Sequence, residues 1–442
     1  MSSESTSTAL APRADRTYAA IALWASSLTR SYYRLEVCGR PFPRDEGVLC
    51  VVSHRNGLAD AGLLMGVVQR PLRFLVKYKL MTAPILGAVI TRSGAVPVYR
   101  KKDQVDMSRN TEAFAAVHTA LARREVIAIF PEGSSHSEPQ LAEMKTGAAR
   151  MALGAIEAGG AGLPLLVQPI GFVYSARDRY RSRLTAVLGE PIDPSQYLAA
   201  YEQDARATVD RLTGDIHAAI GAASVELSGW SDRALVELAG QVRPKPGVSS
   251  AERWSELARG LAWLREHRPR RAEKLETSVH DLSRRLRAAH QLPEALAGKR
   301  QPGLPVAFGG LTGLAASAAV YFPPAAASRA IGLLGRPTPD KLVTVQLLSA
   351  FLLFPLWTLL LAALGYARGG WLGLGSAALV LGAAGWFATN FWHRAGAWFA
   401  ALARAFDPEA RDTAWQASAE NLGRELDVLE HLDARLRRRP QR

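Results

Sequence analysis

The sequence is poor in cysteine and lacks the signatures of several enzyme classes. Its two cysteines, Cys38 and Cys50, each lie beside a β-like apolar run, which indicates small buried side chains in a reducing compartment rather than a disulfide. No Cys/His cluster has metal-ligand spacing, so neither a metal nor another cofactor is expected. A Gly-x-Ser-x-Gly motif is missing, which argues against a serine hydrolase.

Acidic residues are outnumbered by basic ones, and the net charge of +14 predicts an anionic partner. Nucleic acid, anionic lipid and phosphorylated substrates all fit that sign. A basic stretch between Arg265 and Arg287 has few neighbouring aromatic residues, Trp254 and Trp263 among them, and a dense apolar block follows at 304–391. Lipid is therefore the better interpretation, and no nucleic-acid partner is expected.

Composition and periodicity divide the chain into six regions. The expected regions are a disordered Ser/Thr-rich start without a signal peptide at 1–16, an amphipathic helix at 17–35, an α/β domain at 36–195, a charged helical region at 196–302, a transmembrane region at 303–392 and an amphipathic tail at 393–442. The first helix either packs on the domain or lies in the lipid interface. A linker is expected at 243–249.

The α/β domain is predicted from alternating strand-like and helix-like segments, which favour a layered sheet-and-helix fold. Strands are expected at 47–52, 72–76, 95–99, 126–130, 165–173 and 184–188, and helices at 60–69, 79–89, 107–123 and 146–158.

Three apolar runs, at 304–322, 343–366 and 371–391, are long enough to span a bilayer, which takes about 20 helical residues. Pro323-Pro324 is expected to break the first run, and the short piece at 325–335 then completes a re-entrant hairpin. The tail at 412–438 is expected to be helical and ends in a cluster of arginines.

Three short segments carry side chains suited to chemistry. His54 and Asp60 follow the strand at 47–52. A carboxylate can fix the tautomer of a neighbouring imidazole, and the imidazole can then act as a general base that takes a proton from an alcohol. The second segment runs from Gly94 through Pro97 to Arg100, Lys101 and Lys102 and delivers cations that suit phosphate. Alone, each segment also fits an ordinary strand end or a solvated turn.

The third segment is Phe130-Pro131-Glu132-Gly133-Ser134-Ser135-His136, where proline ends a strand and glycine frees the backbone for a ligand. Glu132 is a candidate acceptor of hydrogen bonds from substrate hydroxyls, and Lys145 offers a further positive charge.

The ordered set His54…Asp60, Gly94-x-x-Pro97-x-x-Arg100 and Phe130-Pro131-Glu132-Gly133 resembles the signature of the glycerolipid acyltransferase family. Val167-Gln168-Pro169-Ile170-Gly171 is similar to that family's last motif. The resemblance covers about 35–195. It implies direct acyl transfer with His54 as base and Asp60 orienting it, with Arg100, Glu132 and Gly133 on the phosphorylated acceptor and Pro169 on the acyl side.

Five residues separate His54 and Asp60, whereas most of the family has four. A regular helix would not align the pair at either spacing, so it is expected on a turn leading into a helix, with Gly57 absorbing the extra residue. The longer spacing, Ser135-His136 and the run Met151-Ala152-Leu153-Gly154-Ala155 resemble a eukaryotic branch of glycerol-3-phosphate and dihydroxyacetone-phosphate acyltransferases. Ser134-Ser135 replaces the family's Thr-Arg, so a phosphate-binding Arg is missing there.

The resemblance implies an enzyme that moves an acyl group from acyl-CoA or acyl-carrier protein to the sn-1 hydroxyl of glycerol 3-phosphate or dihydroxyacetone phosphate in phospholipid synthesis. The alternatives are acylation of 1-acylglycerol 3-phosphate at sn-2 and, from another class, an inactive lipid-binding membrane protein. The expected partners are thioester, acceptor and bilayer. Arginines in the tail predict that the tail and the catalytic domain lie on the cytoplasmic side of the cytoplasmic membrane, which requires an even number of crossings.

Overall fold

The chain forms two compact units. The computed structural model describes residues 16–84, 86–99, 108, 110–297, 302–407 and 413–437. The first unit comprises Met1–Ser224 and Thr338–Thr344, and the second comprises Val225–Pro337 and Val345–Arg442. The helices between 196 and 224 thus belong to the first unit, which extends beyond the predicted boundary at residue 195.

The first unit is built on a mixed seven-stranded sheet with the strand order β1-β7-β6-β2-β5-β3-β4. The strands are β1 Arg34–Gly39, β2 Gly47–Val52, β3 Leu72–Lys77, β4 Val96–Val98, β5 Val126–Ile129, β6 Leu165–Tyr174 and β7 Arg183–Leu188. Neighbouring strands are parallel except for the antiparallel pair β6 and β7. Every residue of the central strand β2 is buried, as expected for a parallel strand covered on both faces.

Helices cover this sheet and connect its strands. They are α1 Arg16–Tyr32, α2 Leu58–Val67, α3 Tyr78–Met81, α4 Leu86–Arg92, α5 Asn110–Ala122, α6 Gly147–Gly159, α7 Leu198–Gln203 and α8 Ala205–Ala223. The α/β prediction is confirmed, with each predicted strand present. The predicted first helix ran too far, because Leu35 lies in β1 and pairs with Leu184 of β7.

Helix α1 packs on α2 through small residues. Gly62 and Gly66 of α2 face Thr29 and Ser26 of α1 so closely that an added Cβ on Gly62 would lie 2.9 Å from the Thr29 methyl. Such a small-residue stripe lets two helix backbones approach closely. Packing on the domain is therefore what the structure shows, while Leu23 of the same helix is 70% exposed. Contact of α1 with lipid stays a prediction.

The second unit is helical. The helices of this part of the chain are α9 Asp232–Val242, α10 Ser250–His267, α11 Pro269–Ala288, α12 Leu304–Leu334, α13 Pro339–Phe391, α14 Ala395–Phe406 and α15 Ala414–Arg437. The predicted linker at 243–249 connects α9 to α10, and Ser249 with Glu252 forms a capping box that starts α10. Leu422 and Leu426 of the predicted tail helix α15 are buried.

By length and composition, two helices of the described residues can cross a membrane, one over Leu304–Leu334 and one over Pro339–Phe406. Helix α13 is interrupted at Gly369 and Gly370, where the backbone leaves the helical region. Gly365 packs against Gly373 and Ala377 across this turn, so the two halves of α13 form an antiparallel hairpin. The predicted spans at 343–366 and 371–391 are the two arms of that hairpin.

The prediction that Pro323-Pro324 ends the helix is wrong, since α12 runs through both prolines as one helix of 31 residues. Pro324 has no N–H for the carbonyl of Val320, which stands four residues before it. The indole N–H of Trp357 donates to that carbonyl instead, at 2.9 Å. A neighbouring helix thus restores the hydrogen bond that proline removes, as is common in membrane helices.

Although α12 is continuous, its contacts with the hairpin indicate a change of direction at the two prolines, as the predicted re-entrant hairpin requires. Gly313, in the first part of α12, packs against Phe387. In the middle of α12, Tyr321 donates to the carbonyl of Leu381, closer to the turn. Toward the end of α12, Ser328 bonds the carbonyl of Gln346, again far from the turn. Both ends of α12 therefore lie on the same side of the hairpin.

Candidate active site

The site lies where adjacent parallel strands end. Strands β2 and β5 pair in register with Val51 opposite Ile129, so the loops that follow them leave from the same edge of the sheet. One loop carries His54 and the other carries Glu132. The carboxyl edge of parallel strands is where open α/β sheets commonly bind ligands.

His54 and Asp60 form the expected pair. The Nδ1 of His54 lies 3.0 Å from Oδ2 of Asp60, and because an ionised carboxylate only accepts, Nδ1 carries the proton. The other ring nitrogen, Nε2, then has a lone pair, and it has no hydrogen-bond partner among the described residues. The Asp60 side chain is completely buried, whereas that of His54 is 14% exposed. The arrangement holds an imidazole base at the surface of the site.

The turn between the two residues explains their spacing. Asp60 lies in the first turn of α2, and the backbone amides of Arg55 and Asn56 donate to its Oδ2 at 2.9 Å and 2.8 Å. Gly57 has φ of 55°, a conformation that favours glycine and lets the chain enter the helix. The predicted turn leading into a helix is confirmed.

Tyr174 completes the surroundings of Asp60, and the sequence motifs gave no indication of it. Its hydroxyl donates to Oδ1 of Asp60 from the last residue of β6. Burial and, next, the negative charge of Asp60 raise the pKa of Tyr174 well above its ordinary value, so the hydroxyl stays a donor. A tyrosine at the end of a buried strand needs such a partner, which is the one signal the sequence contains.

The Glu132 carboxylate connects the two loops. Its Oε1 accepts from the backbone amide of His54 at 2.6 Å, and its Oε2 accepts from Nε2 of His136 and from the amide of Ala142. Burial alone would raise the pKa of Glu132, but the hydrogen bonds from His136, Ala142 and His54 together lower it. Glu132 is thus an ionised support for the loop of His54.

His136 and Ser135 are also engaged with the protein. Because Nε2 of His136 donates to Glu132, its Nδ1 is free to accept from the amide of Glu138 at 3.2 Å. Ser135 donates its hydroxyl to Asp340 at 2.6 Å. The structure therefore shows both as residues that order the loop, and their contact with a substrate stays a proposal.

Phe130 sets the orientation of the His54 imidazole from the other side. Its ring stacks on that of His54 with centroids 4.1 Å apart and planes 20° from parallel. The ring of Phe74 from β3 stacks on Phe130 in turn. Aromatic stacking on one side and a carboxylate at Nδ1 together fix the direction of Nε2.

The family model described as Acyltransferase matches residues 34–173, which contain both loops and the His54–Asp60 pair. We call residues 34–173 the acyltransferase domain, after the family model that they match. The domain comprises the sheet from β1 to β6 and the helices between these strands.

The acyltransferase domain is similar in sequence to glycerolipid acyltransferases. It is 40% identical over 104 residues to glycerol-3-phosphate O-acyltransferase 2 of Saccharomyces cerevisiae, which is 23% of this chain and 14% of the yeast protein. Glycerol-3-phosphate O-acyltransferase 1 of the same yeast is 28% identical over 36% of this chain and 21% of its own length. A 1-acyl-sn-glycerol-3-phosphate acyltransferase of Chlamydomonas reinhardtii is 29% identical over 28% of this chain and 37% of its own. The similarity therefore spans less than half of each relative.

A solved structure of a 1-acyl-sn-glycerophosphate acyltransferase, PlsC, from Thermotoga maritima also matches. It is 18% identical, covers 47% of this chain and 83% of that one, and has a TM-score of 0.33. The α/β fold of the acyltransferase domain rests on its own strand order.

The other predicted residues take varied places in the acyltransferase domain. Lys145 is exposed, and its side chain runs beside Gly133, which has φ of 73°. Gly94 lies in the turn before β4, where its carbonyl accepts from Arg73, and Pro97 pairs with Val76 of β3. Pro169 is buried in β6 opposite Val51. The predictions for Arg100 and Lys101 lie outside the described residues.

The geometry brings His54, Asp60, Glu132, Ser135 and His136 together and places Lys145 at the rim beside Gly133. Among the described ranges, no group of three His, Cys, Asp or Glu side chains has the arrangement of a metal site.

Proposed function

We propose that the chain transfers a fatty acyl group from a thioester to the sn-1 hydroxyl of glycerol 3-phosphate, or of dihydroxyacetone phosphate, in phospholipid synthesis. The observation that carries this proposal is the bond between Nδ1 of His54 and buried Asp60, which leaves Nε2 as a base. The family match of residues 34–173 supports the reaction class, and the names of the two yeast relatives favour this acceptor.

The reaction proceeds in one transfer. Nε2 of His54 takes the proton of the acceptor hydroxyl as its oxygen attacks the thioester carbonyl, and the thiolate leaves and takes up that proton. Asp60 stabilises the imidazolium that forms in between. A thioester is already activated, so positioning and deprotonation of the alcohol supply most of the acceleration.

The phosphate of the acceptor is bound by Arg100 with Lys101 and Lys145. Lys145 is exposed beside Gly133, next to the loop of the base, which supports this role. A small acceptor has no chain to bury, so its affinity depends on such charge-assisted hydrogen bonds. Acyl-CoA and acyl-carrier protein both fit as donors, since the proposal rests only on the thioester.

The sn-2 acylation of 1-acylglycerol 3-phosphate is the second candidate, because the algal relative has that activity in its name. A monoacyl acceptor would gain affinity by burying its chain, at about 0.8 kcal/mol per CH₂. The two candidates share the same catalytic pair and differ in the acceptor alone.

The test is an acyl-transfer assay on purified membranes that contain the full chain, with both acceptors offered separately to one thioester donor. We expect a higher kcat/KM with glycerol 3-phosphate or dihydroxyacetone phosphate. Faster use of 1-acylglycerol 3-phosphate would reassign the acceptor and keep the transferase. Transfer to neither acceptor would contradict the proposal and favour the lipid-binding alternative.

Variants at the phosphate-binding residues add a second arm to the experiment. Lys145→Gln and Arg100→Gln should each raise the acceptor KM while the thioester KM stays the same. Arg92→Gln is the matched control, since Arg92 is an exposed cation at the end of α4 whose guanidinium bonds its own helix. Equal effects of all three changes would show that general charge, and not a phosphate site, sets the KM.

The membrane location also belongs to this proposal. The exposed apolar faces of the α13 hairpin fit a bilayer, and both ends of α12 lie on one side of that hairpin. The catalytic domain and the tail then share the cytoplasmic side of the membrane, where thioesters are made.

A further inference from the structure

Helix α2 begins in the turn that carries the catalytic pair, and no side chain of that turn caps the helix. Gly57 is the N-cap residue of α2 and has no side chain to accept from the first amides of the helix. The amide of Leu58 donates instead to the hydroxyl oxygen of Thr344, 3.1 Å away and 286 positions later in the sequence.

Thr344 contacts both sides of Gly57. Besides accepting from Leu58, its hydroxyl lies 3.5 Å from the carbonyl of Asn56, toward which it donates. The contact is close, since a Cβ added to Gly57 would lie 2.8 Å from the Thr344 oxygen. Glycine at position 57 therefore allows the positive φ of the turn and also leaves room for the side chain of Thr344.

A second, independent contact joins the same segment to the other catalytic loop. Asp340, one turn before Thr344, is buried and accepts from the hydroxyl of Ser135 at 2.6 Å. Ser135 follows Glu132, whose carboxylate holds the amide of His54. The segment Thr338–Thr344 thus bonds both loops, and it belongs to the same compact unit as the sheet.

We propose that Thr338–Thr344 is a positioning segment for acyl transfer, in which Thr344 supplies the missing cap of α2 and Asp340 fixes the loop of Ser135. This proposal rests on the proposed function only for its effect on rate. From Pro339 onward the segment is the start of α13, which continues directly into the first arm of the apolar hairpin. The residues that hold the catalytic base in place are therefore contributed by the start of a candidate membrane helix.

Two variants of the full chain separate this role from general stability. Thr344→Val keeps the shape of the side chain and removes the hydroxyl, and Thr344→Ser keeps the hydroxyl. We expect Thr344→Val to lower kcat by about tenfold with both KM values unchanged, because small displacements of a catalytic group reduce rate steeply. Thr344→Ser should restore the rate.

The control is Thr389→Val, a half-buried threonine on the second arm of α13 whose hydroxyl bonds the carbonyl of Gly385 in its own helix. It should leave kcat unchanged. For the second contact, Ser135→Ala combined with Asp340→Ala should lose no more activity than Asp340→Ala alone, because both changes remove the same bond.

Hydrogen–deuterium exchange of the peptide that covers residues 53–60 supplies a readout that needs no activity. Faster exchange in Thr344→Val, but not in Thr389→Val, supports the proposal even if the wild-type chain acylates neither acceptor. Unchanged exchange, or an unchanged kcat in an active enzyme, would overturn it. An inactive wild-type chain with the expected exchange pattern would count against the proposed function alone.

Discussion

The bond between Tyr174 and Asp60 can be tested by Tyr174→Phe, which removes one hydroxyl and keeps the ring. Oδ2 of Asp60 would retain its bonds to His54, Arg55 and Asn56, whereas Oδ1 would have no donor among the described residues. A hydrogen bond to a charged group contributes about 1.5–3 kcal/mol, and a buried acceptor left without a donor places the loss toward the upper part of that range.

Part of this lost free energy should appear as a slower acyl transfer. A carboxylate without its tyrosine can rotate to find another donor, and rotation weakens the bond to Nδ1 of His54. We expect kcat to fall by about tenfold, which equals ~1.4 kcal/mol of transition-state stabilisation, with smaller changes in the KM values. The assay follows thiol release with a saturating acceptor, alongside denaturant unfolding of the same preparation.

Tyr197→Phe is the matched control for this change. The hydroxyl of Tyr197 also donates to a carboxylate, that of Asp215 in α8, at 2.7 Å, and it lies outside the two loops that carry His54 and Glu132. This variant should lose stability and keep its kcat. If Tyr174→Phe behaves in the same way, with kcat within about twofold of wild type, Tyr174 is structural and the reasoning about Asp60 is refuted.

Three further outcomes follow from the site and the helices. His54→Ala should lower the rate at least ~10²-fold, and Asp60→Asn should also impair it; near-normal activity of folded His54→Ala would end the general-base mechanism. The pKa of Glu132 is lowered below 4.5, so its hydrogen bonds contribute stability above pH 4.5 that is lost as the pH falls through the lowered pKa. Glu132→Gln should therefore flatten the acid part of the plot of unfolding free energy against pH. An unchanged slope would contradict this. A cysteine at Arg368, beside the hairpin turn, should react with an impermeant thiol reagent from outside, and one at Arg442 only after permeabilisation; the reverse pattern would invert the topology.

Much of the first unit could be predicted from the sequence because its signals are local. Continuous apolar runs such as Val48–Val52 mark buried parallel strands, and the alternation with helices gives the fold class. The His54–Asp60 pair was predictable because both residues lie on one turn, and the structure shows them bonded. The end of α1 was misplaced since Leu35 continues the helical spacing while pairing with β7 decides its conformation.

The remaining parts of the site depend on contacts between distant segments. Tyr174 reaches Asp60 across 114 positions, and Thr344 reaches Leu58 across 286 positions, so no window of sequence contains either pair. Glu132 was expected to bind substrate hydroxyls, and its bonds to His54 and Ala142 were not expected because backbone amides leave no trace in a motif. These contacts depend on the register of the strands and on the path of the loops, which a local sequence pattern does not determine.

The hydrogen bond from Trp357 to Val320 has a consequence for biosynthesis. The chain is made from its N-terminus, so α12 is complete before Trp357, which lies 37 residues beyond Val320, has been added. During that interval the Val320 carbonyl lacks both the amide that Pro324 cannot supply and the indole that later replaces it. An unsatisfied backbone group in hydrocarbon costs several kcal/mol, so if α12 lies in a bilayer, as proposed above, nascent α12 should remain at its wet surface until the first arm of α13 arrives. Insertion of α12 is then tied to the order of translation, and Trp357→Phe should leave a larger share of newly made chains outside the membrane.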